Sequence, residues 1–224
     1  VQKEDITENG IKYIKQDGSV GYYQTVNKTT PVAGDVKYVD RNGDGVVDDN
    51  DRDIIGNPNP DFTYGFQTKV SWKSLSLSAS FNGVQGRDIL NVGNRYNNTP
   101  GTKSNNVTRK AFQNMWTDEN PSNLYPKSTF VVQNMVMDRY VEDGSYLRCS
   151  DITLSYVLPA KWTNKIGIKN TSVYASVKNA FVITDYSGYD PEVNSFAFDG
   201  LRPGVDMNSY PTPRSFVFGL NLTF

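Results

Sequence analysis

Apolar and polar residues alternate along two neighbouring segments in the first half of the chain. In residues 61–72, apolar positions such as Phe62 and Val70 fall on one side of an extended chain, and polar residues fall on the other. The same alternation continues over 74–82. A period of two is typical of β-strands that have one apolar and one polar face. The pattern therefore predicts two strands joined by a tight turn at Lys73-Ser74.

The alternation returns in three segments of the last third of the chain. Asn179 breaks it in the middle segment, and the parity of the first segment places Cys149 on the polar face. The pattern predicts five strands in all, at residues 61–72, 74–82, 146–158, 171–183 and 214–224.

Long segments without this periodicity separate the strands. Residues 1–60 are polar and rich in turn-forming residues, with a small hairpin predicted around Asp17-Gly18. Residues 83–145 contain a helix-like stretch at 111–116, and 184–213 are irregular throughout. Segments of this length are uncommon in compact domains unless they are functional loops. We therefore predict long loops at these positions.

Two all-β architectures fit alternating strands. The strands of a soluble β-sandwich also alternate, but strands average about five or six residues, whereas these segments reach about ten, the length of a membrane-spanning strand. Aromatic residues near strand ends, such as Trp72 and Phe216, are typical of membrane barrels. If the last strand ends in the periplasm, 83–145 and 184–213 both lie outside the cell and the short connections lie inside. This sorting favours an outer-membrane barrel.

The predicted fold is therefore all-β, with the C-terminal strands of a large antiparallel transmembrane β-barrel at residues 61–224 and an extracellular loop region at 1–60. Five strands cannot close a membrane barrel, and open sheet edges are not tolerated in lipid. We therefore expect this chain to be part of something larger. Val1 is neither a Met nor the start of a signal peptide, which fits a removed signal or an internal cut.

Composition excludes several kinds of chemistry. The chain has no His, so a Ser-His-Asp triad and histidine metal sites are excluded. A single Cys rules out an internal disulfide and a thiolate zinc cluster. Lys and Arg number 23 against 24 Asp and Glu, which argues against a nucleic-acid-binding protein. No nucleophile elbow or phosphate-binding glycine loop is present, so we predict that the protein is not an enzyme.

A series of short motifs between residues 34 and 224 resembles one family. The run GDVKYVDRNGDG at 34–45 resembles the GDxKYxDxNGDG signature of SusC/RagA-type TonB-dependent outer-membrane transporters. The other matching motifs are IG at 55–56 with PDFTYGF at 60–66, QG at 85–86, DGSYLR at 143–148, LSYVLP at 154–159, YSGYDPE at 186–192, YPTPR at 210–214 and GLNLTF at 219–224.

The resemblance implies a plugged barrel of the 22-stranded type in the outer membrane of a Gram-negative bacterium. This chain would supply the last five strands, and Phe224 would belong to the signal read by the barrel-assembly machinery. Family members take up glycans or peptides with a SusD-like surface lipoprotein as a lid, and the TonB complex supplies energy through an N-terminal part that this chain lacks. The implied partners are therefore that lipoprotein, the TonB complex, an oligosaccharide or peptide substrate and outer-membrane lipid.

An Asp-rich run in the N-terminal region fits the template of a calcium-binding loop. Oxygen ligands at alternating positions can surround one Ca²⁺ ion, and Gly45 at position 6 allows the sharp turn. Position 12 is Asp rather than Glu, which shortens its reach. The alternative is a turn whose side chains bind their own backbone. The predicted Ca²⁺ ligands are Asp40, Asn42, Asp44, the carbonyl of Val46, Asp48 and Asp51.

Four aromatic residues in the predicted extracellular segments are candidates for substrate contact. Aromatic faces beside Asn and Asp residues suit sugar rings or peptides. Packing within the loops, or contact with the lid protein, is the alternative. The alternative function for the whole chain is a secreted calcium-binding β-domain that binds carbohydrate or a protein partner. The predicted ligand-binding residues are Tyr96, Trp116, Tyr186 and Tyr189.

Overall fold

A computed structural model describes residues 1–99, 106–128, 136–163, 168 and 170–223. The chain forms two compact units. The first joins Val1–Ile55 with Gly93–Met137, and the second joins Gly56–Val92 with Asp138–Phe224. The N-terminal segment of the first unit ends at Ile55, five residues before the predicted boundary at residue 60. The packing of residues 93–137 with that segment was not predicted.

The described residues form thirteen strands and three short α-helices. The strands are β1 (Ile6–Thr7), β2 (Gly10–Ile14), β3 (Val20–Tyr23), β4 (Thr25–Val26), β5 (Val46–Val47), β6 (Phe62–Trp72), β7 (Leu75–Gln85), β8 (Asp88–Asn91), β9 (Val141–Asp143), β10 (Tyr146–Val157), β11 (Asn170–Thr184), β12 (Val205–Asp206) and β13 (Ser215–Thr223). The helices are α1 (Val92–Asn97), α2 (Arg109–Asn114) and α3 (Ala160–Thr163). In the part of the chain that is described, no helix is both long enough and apolar enough to cross a membrane.

The first unit is built on a small sheet with the strand order β1-β2-β3. Strands β2 and β3 form the hairpin predicted around Asp17-Gly18, which is confirmed. The core lies against this hairpin and against β4 and β5, which pair in parallel. Its buried members are Val1, Ile11, Tyr13, Tyr23, Val26 and Val47, with Tyr38 packed against them.

The second unit is built on a five-stranded antiparallel sheet with the order β13-β11-β10-β7-β6. All five predicted strands are present, with ends within three residues of the predicted ones where the structure describes them. The last predicted residue, Phe224, lies outside the described residues. Lys73 turns the chain between β6 and β7 with a φ of 53°. These observations confirm the predicted antiparallel strands.

The register sorts the side chains of this sheet onto one apolar and one polar face. One row across the five strands runs through Val70, Leu77, Leu154, Ala175 and Phe218. Four of its five members are exposed, with Val70 64% and Phe218 79% accessible, and Ala175 is half-buried. This outcome matches the expectation of a lipid-facing surface. The equivalent row on the polar face runs through Gln67, Ser80, Asp151, Lys178 and Ser215.

A β-bulge at Ser150 changes which residues of β10 belong to each face. The pairing of β10 with both of its neighbours shifts between Cys149 and Asp151. Cys149 therefore pairs with Phe81 and Phe181 on the apolar face, where it is fully buried. The prediction that Cys149 lies on the polar face was wrong, because counting parity fails across one extra residue.

Leu154→Lys tests which face of the sheet meets lipid. In the full-length protein we expect this change to lower the free energy of unfolding in lipid by about 2–4 kcal/mol, because it places a charge on the apolar face. Ser155→Lys is the matched control, since Ser155 pairs with Ser76 and Tyr174 on the polar face, and we expect it to cost less than about 1 kcal/mol. Denaturant unfolding in lipid vesicles measures both variants. Equal costs would contradict the assignment of the faces.

Candidate functional site

A buried ion pair lies on the polar face at one end of the five-stranded sheet. This end, where β6 begins and β10 begins, carries the long connections and is called the loop end. Arg148 Nη2 lies 2.5 Å from Asp190 Oδ1, and the two residues are only 5% and 3% exposed. Arg148 is part of β10, and Asp190 follows β11 in the connection to β13. The pair therefore ties this connection to the wall of the sheet.

The bulge at Ser150 is what places Arg148 on the polar face. Beyond the bulge, Arg148 pairs with Asn82 of β7 and Val182 of β11. Without the extra residue, Arg148 would have the same parity as Ile152 and would lie on the apolar face. The local backbone irregularity thus puts a cation where a carboxylate can reach it.

The carboxylate of Asp190 also accepts two backbone hydrogen bonds. Its Oδ1 accepts from the N–H of Glu192 at 2.9 Å, and its Oδ2 accepts from the N–H of Thr212 at 3.0 Å. Burial alone would raise the pKa of Asp190, but these hydrogen bonds and the charge of Arg148 hold it below its ordinary value. Asp190 therefore stays ionised and holds two parts of the connection together.

Glu192 and Arg87 extend this network along the polar face. The carboxylate of Glu192 lies 3.3 Å from Arg148 Nε and accepts a hydrogen bond of 3.0 Å from Asn82 Nδ2. Arg87 Nη2 donates to the carbonyl of Pro191. The guanidinium groups of Arg87 and Arg148 lie 6.0 and 5.9 Å from the ring centroid of Tyr146. Residues 190–192 are therefore held over the polar face by side chains of β7, β10 and the turn after β7.

A second cluster anchors the residues just before this segment. Tyr186 is 5% exposed, and its hydroxyl donates to Asp206 Oδ2 at 2.7 Å. Burial and the neighbouring carboxylate raise the pKa of Tyr186, so its hydroxyl keeps its proton. Glu142 accepts hydrogen bonds from the backbone N–H of Ser187 at 2.8 Å and from its hydroxyl at 2.9 Å. Asp206 and Glu142 belong to β12 and β9, which flank β8 in a small sheet.

The four predicted ligand-binding aromatic residues have different surroundings. Tyr186 packs inside the protein, and its ring is so close to Gly188 that a Cβ there would lie 2.4 Å away. Tyr189, by contrast, is 74% exposed. In the first unit, Trp116 is half-buried and its Nε1 donates to Gln2 Oε1 at 2.9 Å. Tyr96 is half-buried with the guanidinium of Arg95 5.5 Å from its ring centroid. Tyr189 thus offers the most open ring, and ligand contact by any of the four stays a prediction.

The side chains of the Asp-rich loop bind the loop's own backbone. Asp40 is 3% exposed and accepts from the N–H groups of Gly43 at 2.6 Å and Gly45 at 2.9 Å. Asp51 accepts from the N–H groups of Arg41 and Asp48, each at 2.8 Å. The remaining predicted ligands with such bonds are Asn42 to Asp44 N–H, Asp44 to Val46 N–H and Asp48 to Asn50 N–H.

In this conformation the predicted calcium ligands that have side-chain oxygens accept hydrogen bonds from N–H groups of the loop. Among the described residues, no group of three His, Cys, Asp or Glu side chains is arranged to hold a metal ion. Calcium binding by this loop stays a prediction.

The residues of the ion-pair network were not predicted as site residues. Arg148 and Asp190 are 42 positions apart, and nothing local links them. A signal was nevertheless present at Arg148. An arginine with the parity of Ile152 and Leu154 would face lipid in an unbroken strand, so its position called for a bulge.

Comparison with known proteins identifies relatives of the whole chain. No family model matches it. The chain is 35% identical over 201 residues to TonB-dependent receptor P26 of Formosa agariphila, which covers 86% of this chain and 20% of the relative. It is 32% identical over 238 residues to TonB-dependent receptor SusC of Bacteroides thetaiotaomicron, which covers 100% of this chain and 22% of the relative. The chain thus spans about a fifth of the length of these relatives.

Solved structures of a related transporter also match most of the chain. The RagAB peptide importer in its closed-closed state matches with a TM-score of 0.66 and 28% identity, over 84% of this chain and 20% of the other. The structure of the RagAB peptide transporter matches with a TM-score of 0.64 and 30% identity, over 76% of this chain and 18% of the other.

Asp190→Asn tests the contribution of the buried ion pair. We expect this variant to lower the free energy of unfolding by about 3–5 kcal/mol at pH 7, because Arg148 stays buried and loses its buried counter-charge, with only the partly exposed Glu192 beside it. The control Asp199→Asn breaks a pair with Arg202, whose side chain is 62% exposed, and should cost at most about 1 kcal/mol. Thermal unfolding of the full-length protein in detergent measures both.

The same pair predicts a pH dependence of known sign. Because the pKa of Asp190 is lower in the folded protein than its ordinary value of 3.8, its contribution is complete above that value and is lost as the pH falls through the folded pKa. The stability difference between wild type and Asp190→Asn should therefore stay constant from neutral pH to about pH 5 and shrink only in stronger acid. A difference that shrinks between pH 8 and pH 6 would contradict this assignment.

Asp40→Asn tests whether the Asp-rich loop depends on its own hydrogen bonds. We expect a loss of about 1–3 kcal/mol in the free energy of unfolding. The two carboxylate oxygens of Asp40 accept one N–H group each, whereas the NH₂ group of Asn cannot accept, so one buried N–H group loses its partner. Asp49→Asn is the matched control, since the side chain of Asp49 is 82% exposed. Calorimetry with and without Ca²⁺ measures both.

Stabilisation of the wild type by Ca²⁺ that is lost in Asp44→Ala is the result that the calcium prediction requires.

Proposed function

The chain belongs to the SusC/RagA-type family of TonB-dependent transporters, and from that membership we propose that the whole protein imports an oligomeric nutrient across the outer membrane. The five-stranded sheet with one exposed apolar face is the observation that carries this proposal. A secreted domain would have to leave that face in water, and contiguous apolar surfaces of this kind are rare on soluble monomers. The secreted calcium-binding β-domain is therefore the less favoured function.

The two faces of the sheet give the protein an orientation in the proposed barrel. The apolar face meets lipid and the polar face lines the lumen. The loop end, with its long connections, faces the outside of the cell. Among the described residues, β6 and β13 each have a neighbour on one side only, and we propose that strands elsewhere in the whole protein pair with these edges, since open edges are not tolerated in lipid.

This orientation puts the Arg148–Asp190 network on the lumen wall near the entrance. Nutrient that enters the proposed barrel passes the polar face at the loop end before it reaches the opposite ends of the strands. The exposed ring of Tyr189 follows directly before Asp190 in the chain. We therefore propose that this region contacts the substrate on its way in.

Oligopeptides are the first substrate class to test, and oligosaccharides are the second. The matched solved structures are those of the RagAB peptide transporter and of the RagAB peptide importer, which supports peptides. A SusD-like surface lipoprotein over the loop end is the proposed partner, and the TonB complex is the proposed source of energy through a part of the protein outside this chain. Family membership supports both proposed partners.

Uptake by intact cells tests the proposed function. Cells with and without the full-length gene are given a fluorescently labelled casein digest, and accumulated label is measured with and without a protonophore. We expect the deletion strain and the de-energised cells to lose uptake, and a plasmid copy of the gene to restore it. A parallel assay uses a labelled starch hydrolysate. Unchanged uptake of both mixtures in the deletion strain would contradict nutrient import of these classes.

A further inference from the structure

We propose that residues 186–192, here called the shelf, are a fixed part of the lumen wall that does not open during transport, with Arg148 as the residue that positions them. The placement in a lumen rests on the proposed function. The immobility of the shelf on the sheet rests on the contacts of the second unit alone. The two parts can therefore fail separately.

The shelf is anchored to the sheet at its C-terminal end by charged groups. Asp190 binds Arg148 from one side and the N–H of Thr212 from the other. Glu192 accepts from Asn82 and lies beside Arg148. The intervening Pro191 is fully buried. To lift this end, the shelf would have to break the buried ion pair together with the hydrogen bonds from Thr212 and Asn82, which is more costly than separating a surface pair.

The N-terminal end of the shelf is anchored separately. Tyr186 is buried and binds Asp206 through its hydroxyl. The backbone N–H and the hydroxyl of Ser187 both donate to Glu142. A loop that opens hinges at a few positions near its ends and makes few buried contacts between them. The shelf has buried polar anchors at both ends, which favours a rigid element over a flap.

The bulge at Ser150 completes the arrangement. It turns Arg148 onto the polar face, while Leu147 and Cys149 pair with Ile183 and Phe181 on the apolar face. Arg148 therefore reaches the shelf from a strand in the middle of the sheet, which has neighbours on both sides. A positioning residue on such a strand cannot move far without disturbing two strand pairs. Through Arg148, the shelf has the rigidity of the barrel wall.

Cross-linking the shelf to the wall tests whether it must move. Asn82→Cys and Glu192→Cys are combined in the full-length protein with Cys149→Ala, and the two thiols are joined in cells by a short, reducible bifunctional thiosulfonate. We expect the cross-linked protein to take up the labelled casein digest within about twofold of the same protein before cross-linking. Loss of uptake that returns when a reductant cleaves the link would overturn the proposal, because it would show that the shelf opens. The single-cysteine variants treated with the same reagent are the controls.

Hydrogen exchange tests the role of Arg148 without any substrate. In the full-length protein in detergent, we expect Arg148→Ala to accelerate hydrogen exchange of the Glu192 and Thr212 amides about tenfold or more. Both amides donate to Asp190, which Arg148 holds in place. Arg148→Lys should restore part of the protection, and Arg202→Ala, in the same connection but at an exposed pair, should leave it unchanged. Fast exchange of these amides in the wild type would overturn the fixed shelf. If neither labelled mixture is taken up, the proposed function fails, and the exchange result still decides on the shelf.

Discussion

A β-sheet with two different surroundings has to keep every side chain on the face where that side chain is tolerated. Successive residues point to opposite faces, so a shift of one position exchanges the two sets. In the five-stranded sheet, rows of apolar and of polar residues run from strand to strand, and across all five strands where β13 is paired. This requirement explains the arrangement of the five strands and also the effect of the β-bulge at Ser150, where the alternation shifts by one residue.

That interruption, at Ser150, brings a charged side chain of the sheet within reach of a long connection. Before the bulge, Arg148 is on the polar face, and after it Asp151 is on the polar face as well, where it pairs with Lys178 at 2.6 Å. Two charged residues three positions apart in β10 thus share one face, which uninterrupted alternation does not allow. Their partners come from different parts of the chain. A neighbouring strand supplies the partner of Asp151, and a long connection supplies the partner of Arg148. The bulge therefore links the barrel wall to a loop.

Sequence pattern predicts the regular parts of this chain and fails where distant segments meet. The five strands and the hairpin at Asp17-Gly18 were predictable because their periodicity and turn residues are local. The face of Cys149 was assigned wrongly because a single bulge reverses parity. The burial of Tyr186 and the pairing of Arg148 with Asp190 depend on contacts between residues far apart in the chain, and no local pattern specifies them. The same holds for the packing of residues 93–137 with the N-terminal segment.

The chain uses carboxylates in two contrasting ways, and the contrast explains which of them sequence reasoning can find. In the Asp-rich loop, Asp40 and Asp51 accept several backbone N–H groups within eleven positions of themselves. Such short-range bonds give a spacing that resembles a metal-ligand pattern, because both arrangements need a carboxylate every second or third residue around a tight turn. Asp190, in contrast, combines backbone N–H groups with a guanidinium from the sheet, and its neighbours in sequence carry no repeat. The repeated spacing of the loop therefore reflects contacts within one short segment, whereas the isolated buried carboxylate of Asp190 joins two distant parts of the fold.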